Sequence, residues 1–526
     1  MGVPPHTEPL YLEPMLASRL ASLLRSGPFL HGLVRGLGSP LNLVLPEQIA
    51  DNLARFRAVH RRHRLGGQVY FAHKASRSRA LVRRLAATDA GIDVASAAEA
   101  QHALGAGFAP GRVLATGPKN PAFLWLAARS GTTVHIDGAA ELDALAGLVR
   151  RYGLPRVRIV LRLSAFSPAP ASPVTPAASG TAGAAGGGVR QLSRRSRFGT
   201  PVAELDPLLK TVERHADAVE LTGVGYHLDT TSLAEKALAL EGCVLALNEC
   251  RGRGLTPRVI DIGGGFGVNY LAHAAQWERW TTELTQAVLG RREPLTWRRH
   301  GYGLRNEGGT LRGALALYPA HRPVAAERYL DALLAHPAPT LGRPLASLLL
   351  ENLYDLCTEP GRALADQCGA TLARVLEVRR TEDGEPLVRL EANADDIGLE
   401  EHGVHVDPVL VPRGRGHEGG PVGVHLAGNL CLEADLITRR KVFLPRPPRP
   451  GDLLAFANTA GYCMDFSADE AQQQPVARKV AVWQEPEEAA DGHPQDGHPQ
   501  DGHPQDGEAW RWTLDEEYWP IAERED

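Results

Sequence analysis

Cysteine is scarce in this 526-residue chain: six residues, Cys243, Cys250, Cys357, Cys368, Cys431 and Cys463, with no C-x-x-C pair among them. That spacing builds neither a disulfide framework nor a thiolate zinc site; it fits reduced thiols in a cytoplasmic protein, with no metal expected. An excess of charge of either sign is also missing, since 57 Lys and Arg stand against 61 Asp and Glu, for a net −4. No basic field speaks for nucleic acid or an anionic membrane, so a small molecule is the expected partner. Nor does any apolar run approach the roughly 18 residues that cross a bilayer. The opening MGVPPHTEPLYLEPM has acids and prolines where an export signal has a basic segment and then an apolar one, which again argues for the cytoplasm.

What is present is enough apolar material, 43%, to bury a core and fold as two domains or more. From about Gln68 to Asp366, short β-rich runs alternate with Ala- and Leu-rich helical stretches: QVYFAHK, GIDVAS, RVLATG, TTVHID, RVRIVLRL, GVGYHL, RVIDIGGG and ASLLLEN. Eight such runs predict a parallel α/β barrel over 45–368, with a doubly wound sheet as the alternative. In a barrel, reactive residues lie at the carboxyl ends of strands, where Lys74, His227 and Gly263 to Gly265 fall. After Gly369 the pattern changes to β runs broken by turns (TLARVLEVRR, PLVRLEAN, GVHLAG, DLLAFAN, ARKVAVWQ, with WRWTLDEEYW as a last strand), predicting an all-β domain over 369–526. Residues 1–44 hold a helical pattern, MLASRLASLL, expected to pack on that domain. Two segments are expected to stay out of the fold: a loop at about 168–190 with little charge and few large apolar groups, and the DGHPQ repeat at 491–507, read as a linker.

Lys74 follows the apolar run Val69 to Ala72, which delivers an amine at the end of a buried strand. Partial desolvation is expected to lower its pKa and leave a neutral amine that forms an imine with a carbonyl. In DIGGGFG (Asp261 to Gly267), glycines after a β run let backbone N–H groups close on a phosphate. EPGR (Glu359 to Arg362) sets a carboxylate and a guanidinium across a Pro-Gly turn; alone, it is equally a surface turn with a salt bridge.

Together these pieces resemble the fold-type III pyridoxal 5′-phosphate (PLP) decarboxylases, the group of diaminopimelate and ornithine decarboxylases. The resemblance rests on YFAHK with the downstream DVAS segment, SRFG (Ser196 to Gly199), GVGYHLDTTS, DIGGGFGVNY, EPGR, GNLCLEAD and GDLLAFANTAGY, in the family's order from about Leu41 to Trp483. It implies an alanine racemase-like, PLP-binding TIM-like barrel with a C-terminal β domain. Lys74 would hold PLP as a Schiff base and His227 would stack on its ring. Thr230, Gly263, Gly264, Gly265, Gly361, Arg362 and Tyr462 would hold the phosphate, and Asp93 and Glu99 would support the lysine and ring. Glu359 would keep the pyridine nitrogen protonated and so stabilise a quinonoid, where the related racemases use an arginine. Cys431 would protonate Cα across the interface of a homodimer with shared active sites.

The chain departs from the family at several points. His227 is followed by Leu228, Asp229 and Thr230 instead of a Gly-Ser pair, which sets a carboxylate near the expected phosphate. The acid that directly follows the cysteine in the family, and that contacts a distal amine, is Leu432, with Glu433 and Asp435 close by as candidate substrate contacts. The stretch from about Leu271 to Arg343 is long and unlike the standard enzymes. Decarboxylation of an amino acid is the expected reaction. The alternatives are racemisation or other Cα chemistry on a modified amino acid, and a regulatory homologue without turnover.

Overall fold

The computed structural model describes residues 8–167, 196–414, 418–484 and 510–520. The loop expected at about 168–190 and the repeat at 491–507 lie outside the described residues. Eight parallel strands form the path of one sheet: β1 (Tyr70–Ala72), β2 (Gly91–Val94), β3 (Val113–Ala115), β4 (Thr133–Ile136), β5 (Val157–Ser164), β6 (Val219–Gly225), β7 (Val259–Asp261) and β8 (Asp355–Cys357), with the short strand Thr200–Pro201 pairing off the path with β5. Their spatial order follows the chain, and β8 meets β1 through a parallel bridge between Val69 and Thr358, with Tyr70 N–H donating to the Thr358 carbonyl at 2.8 Å. The result is an α/β barrel. Every residue of β2 and β3 is buried, because helices cover the outside and side chains fill the inside. Gly223 has a packing reason: a Cβ there would lie 2.3 Å from the Val259 carbonyl oxygen of β7.

Seven of the eight expected strands coincide with barrel strands; the eighth needs correcting. All of ASLLLEN but its final Asn352 lies in a helix, Leu345–Glu351, and the barrel is completed by Asp355–Cys357 instead. Leucine is a good helix former, and burial at 345, 346, 348 and 349 follows a helical face instead of alternating. Pro344, extended at φ −53° and ψ 135°, starts that helix.

The second sheet takes strands from both ends of the chain. Leu41–Val44 runs antiparallel to Gly369–Arg380 and parallel to Arg478–Gln484, which in turn pairs with Trp510–Leu514. Pro386–Leu390, Val422–Ala427, Leu436–Leu444, Leu453–Ala457 and Val409–Val411 complete it. Helices Ser18–Arg25 and Gly27–Leu37 press Leu20, Leu23, Leu30 and Leu33 onto Leu372, Leu453, Val480 and Val482 of this sheet.

The long stretch after Leu271 forms a helix (Ala274–Val288), a hairpin (Leu304–Glu307 with Thr310–Gly313) and a helix (Ala326–Ala335). Trp280 and Tyr302 from it stand edge-on to His405, at ring separations of 5.0 and 4.5 Å. Close by, Arg440 and Asp407 form a buried ion pair at 2.6 Å, and Asp407 also accepts the Leu12 N–H at 2.6 Å. Removing one member of such a pair strands the other charge. Arg440→Met is therefore expected to lower the unfolding free energy by about 3 kcal/mol or more in urea titrations.

Candidate active site

Lys74, His227, Gly263 and Glu359 each stand two residues beyond the end of a barrel strand, β1, β6, β7 and β8. They open on a cavity with two lobes. One, of about 490 Å³, is lined among others by Lys74, His135, Arg162, Phe198, His227 and Glu359. The other, of about 610 Å³, shares Lys74, His227 and Glu359 and adds Gly264 to Gly267, Arg322, Arg362 and Tyr462. Asp229 and Thr230 line both lobes.

The lysine departs from expectation in one respect. Burial acts to lower its pKa, but the field of Asp93, then of Tyr462 and Glu359, outweighs burial, and the pKa stands above the ordinary lysine value. A free Lys74 is an ammonium, because its pocket supplies carboxylates as well as desolvation.

Those carboxylates form a cluster that motif reading only partly shows. Burial pushes Asp93 up to about 6, and Asp261 and Glu359 up to about 7, each further raised by its acidic neighbours. Glu359 Oε2 lies 3.2 Å from His227 Nδ1, and Asp261 Oδ2 lies 3.5 Å from His135 Nε2. Thr116 donates its hydroxyl to Asp93, and Gly263 N–H donates to Asp261 at 2.8 Å. Burial first, then Lys74, Arg162 and Lys236, lower His227 to about 3, so its ring is neutral. His135, Asp261 and Glu359 offer ligand atoms within 4.8 Å of one another. Shared protons account for this grouping, since the two buried carboxylates Asp261 and Glu359, with Asp93 near them, cannot all ionise.

The glycine loop has the shape of an anion cradle. Gly263, Gly265 and Gly267 sit at φ of 62°, 83° and 70°, where other residues are strained. A Cβ on Gly264 would meet the Glu359 carbonyl oxygen at 2.8 Å, and one on Gly361 would meet Tyr462 Oη at 3.1 Å. Among the described residues, the N–H groups of Gly265 and Gly267 have no protein acceptor. Arg362 donates to Tyr270 Oη at 2.8 Å and lies 5.1 Å from the centre of the Tyr462 ring. Backbone donors beside a guanidinium and a lysine fit a phosphate-bearing aldehyde such as PLP.

Other expected residues serve different ends. Thr230 Oγ1 accepts the Ser232 N–H at 3.1 Å while lining the cavity. Glu99 accepts the Ala95 N–H at 2.6 Å and faces His73 at 3.4 Å, so it holds the DVAS segment and not the lysine directly. Cys431 is exposed, and neither it nor Glu433 nor Asp435 lines the cavity. Asp435 accepts N–H groups of Ala394 and Leu430 at 3.0 and 2.8 Å and so holds its loop. Glu433 is exposed, with Arg298 at 3.7 Å. Sequence reading missed Arg322, whose guanidinium reaches the second lobe and lies 4.8 Å from the Tyr318 ring. It belongs to the unfamiliar stretch after Leu271, where no motif marked it.

A parallel barrel carrying a lysine, a buried carboxylate cluster and an anion cradle at the carboxyl ends of its strands defines a barrel with a lysine-centred site. Residues 48–296 match the family described as "Pyridoxal-dependent decarboxylase, pyridoxal binding domain". The uncharacterized protein y4yA of Sinorhizobium fredii is 30% identical over 495 residues, 92% of this chain and 95% of that one. Diaminopimelate decarboxylase of Staphylococcus aureus is 22% identical over 86% of this chain and 90% of its own length. Two crystal structures share the fold: diaminopimelate decarboxylase from M. jannaschii in complex with L-lysine (TM-score 0.61, 16% identity, 86% of this chain, 89% of that one) and lysine/ornithine decarboxylase from Vibrio vulnificus with putrescine (0.61, 18%, 89% and 99%). The chain belongs to the fold-type III PLP-dependent decarboxylases. Among the described residues, no helix is long and apolar enough to cross a membrane.

Proposed function

We propose that this protein removes the α-carboxyl group of an amino acid, using PLP attached at Lys74. The observation that carries this reading is the convergence of Lys74, Glu359 and the Gly263 to Gly267 cradle with Arg362 on one cavity. PLP bound there supplies an electron-poor pyridine ring that accepts the electron pair left when a carboxylate departs. Gly263, Gly264, Gly265, Gly361, Arg362, Tyr462 and Thr230 would hold its phosphate, and His227 would support its ring. Glu359 would keep a proton on the ring nitrogen; its raised pKa would fall once a cation sat beside it. Asp93 holds the proton on Lys74 whenever that amine is free. A carboxylate in the role of Glu359 favours full withdrawal of electrons into the ring, and so favours decarboxylation over racemisation.

Cys431 delivers the proton to Cα in a second copy of the chain. Its exposure supports this, as do the exposed Leu432 and Phe466, 57% and 54% accessible, with Phe466 6.0 Å from Tyr462 of the cavity. A homodimer with shared sites yields a distinctive result: mixing inactive Lys74→Ala and Cys431→Ala proteins is expected to restore about a quarter of wild-type activity, because random pairing leaves one intact site in half of the dimers. No recovery after mixing would overturn the shared site, and a Cys431→Ala protein that keeps wild-type activity would place Cys431 outside the reaction.

The substrate is an amino acid whose far end is not a simple ammonium. Leu432 stands where a partner for that charge is expected, Asp435 is occupied by backbone N–H groups, and Glu433 faces Arg298. The test is carbon dioxide release from a panel of amino acids, with plain diamino acids beside acylated and hydroxylated ones. Release from the diamino acids alone would overturn the substrate reading, and release from none would overturn the reaction.

A further inference from the structure

Lys236 lies near the start of the helix Leu233–Gly252 and is fully buried. Its ammonium donates to the Gly264 carbonyl and would sit 3.0 Å from a Cβ on Gly265, directly behind the glycine loop. The rings of Phe266 and Tyr329, centred 5.1 and 5.6 Å away, close around it. Among the described residues it has no ion pair with a carboxylate, whereas Lys119, whose side chain is equally shielded, has Glu141 at 2.7 Å. A buried ammonium without a counter-charge is costly and persists where something else balances it.

The missing counter-charge has an evident place. The cradle for a phosphate is the other face of the same loop, one peptide layer from the ammonium. We infer that Lys236 is a positioning residue of the anion site: it holds the Gly264 carbonyl turned away from the bound anion and balances the anion's charge from behind the loop. This inference rests on the cradle assigned under the proposed function. The charged and titratable groups around Lys236 are Glu235 beside it, His227 and Tyr226 from the β6 side, Tyr329 from the segment after Leu271, and Glu359, whose field favours the ammonium. Burial lowers Lys236 to about 7, against the weaker pull of Glu359. A dianion in the cradle raises it again, so anion binding takes up a proton and weakens as pH rises above neutrality.

Sulfate is a suitable probe because it stays dianionic across this range. Titration calorimetry of the cofactor-free full chain is expected to show sulfate binding several-fold tighter at about pH 6.5 than at about pH 8.5. Lys236→Met is expected to weaken sulfate and PLP by about tenfold at the lower pH and to flatten the pH dependence, while pyridoxal, which has no phosphate, binds as to wild type. Lys236→Gln gives a second variant should the methionine protein not fold. Equal sulfate affinity and an unchanged pH profile in either folded variant would overturn the inference. Failure of the wild-type protein to take up PLP at all, with pH-dependent sulfate binding intact, would overturn the proposed function and leave the role of Lys236 standing.

Discussion

Lys74→Ala is expected to abolish the visible absorption band that wild-type protein gains on reconstitution with PLP, and to lower turnover by about three orders of magnitude or more. The size of the effect follows from the lack of a substitute. Among the described residues lining the cavity, Lys74 is the only lysine, and Lys236 is sealed behind the glycine loop. Alanine also frees Asp93 from the cation that favours its ionised form, so that carboxyl rises further above about 6. The cradle is untouched, so PLP is expected to bind the variant without covalent attachment, detectable by dialysis. A variant that kept the band would show that another amine carries the cofactor.

Glu359→Gln is expected to keep the band and lose about two to three orders of magnitude in kcat, the usual cost of removing a group aimed at charge that develops in the transition state. The amide retains the shape but does not hold a proton on the ring nitrogen. The same substitution has a signature without cofactor. A carboxyl raised to about 7 by burial, from an ordinary value near 4.5, contributes stability below that ordinary value and loses it as pH climbs through 7. Glutamine carries no such penalty. The melting temperature of the cofactor-free variant, relative to wild type, is therefore expected to climb between about pH 5 and about pH 8. A constant difference across that range would mean that Glu359 ionises freely.

Much of this site could be read before the fold was seen, and the residues show why. Lys74, the DIGGG run and EPGR each join a strand end to a turn, and both patterns are local. Local patterns also locate seven barrel strands. The eighth escaped because Asp355–Cys357 is three residues long and follows a leucine-rich helix that looks more like a buried strand than it does. Leu436–Leu444 was equally hidden, since RRK at its centre interrupts the apolar alternation, although Arg440 is buried against Asp407.

What sequence could not reveal depends on contacts between distant segments. His135 and Asp261 look like ordinary strand residues until β4 and β7 bring them within 3.5 Å of each other below Glu359. Arg322 comes from a segment without family motifs, and Lys236 from a helix that is apolar nearly all round, where no motif marks the one buried lysine. The pKa of Lys74 depends on distant segments too: desolvation follows from the strand, but the opposing carboxylates come from β2 and from the segment after β8.

The central claim is that Cα loses its carboxylate and gains a proton in a site built on Lys74. It is tested most directly by incubating PLP-reconstituted protein with the amino-acid panel in heavy water and following each compound by mass spectrometry. The expected result is a product that has lost carbon dioxide and carries one deuterium at Cα, formed by wild type and not by Lys74→Ala. Deuterium entering an amino acid that keeps its carboxyl group, with no carbon dioxide released from any member of the panel, would contradict it.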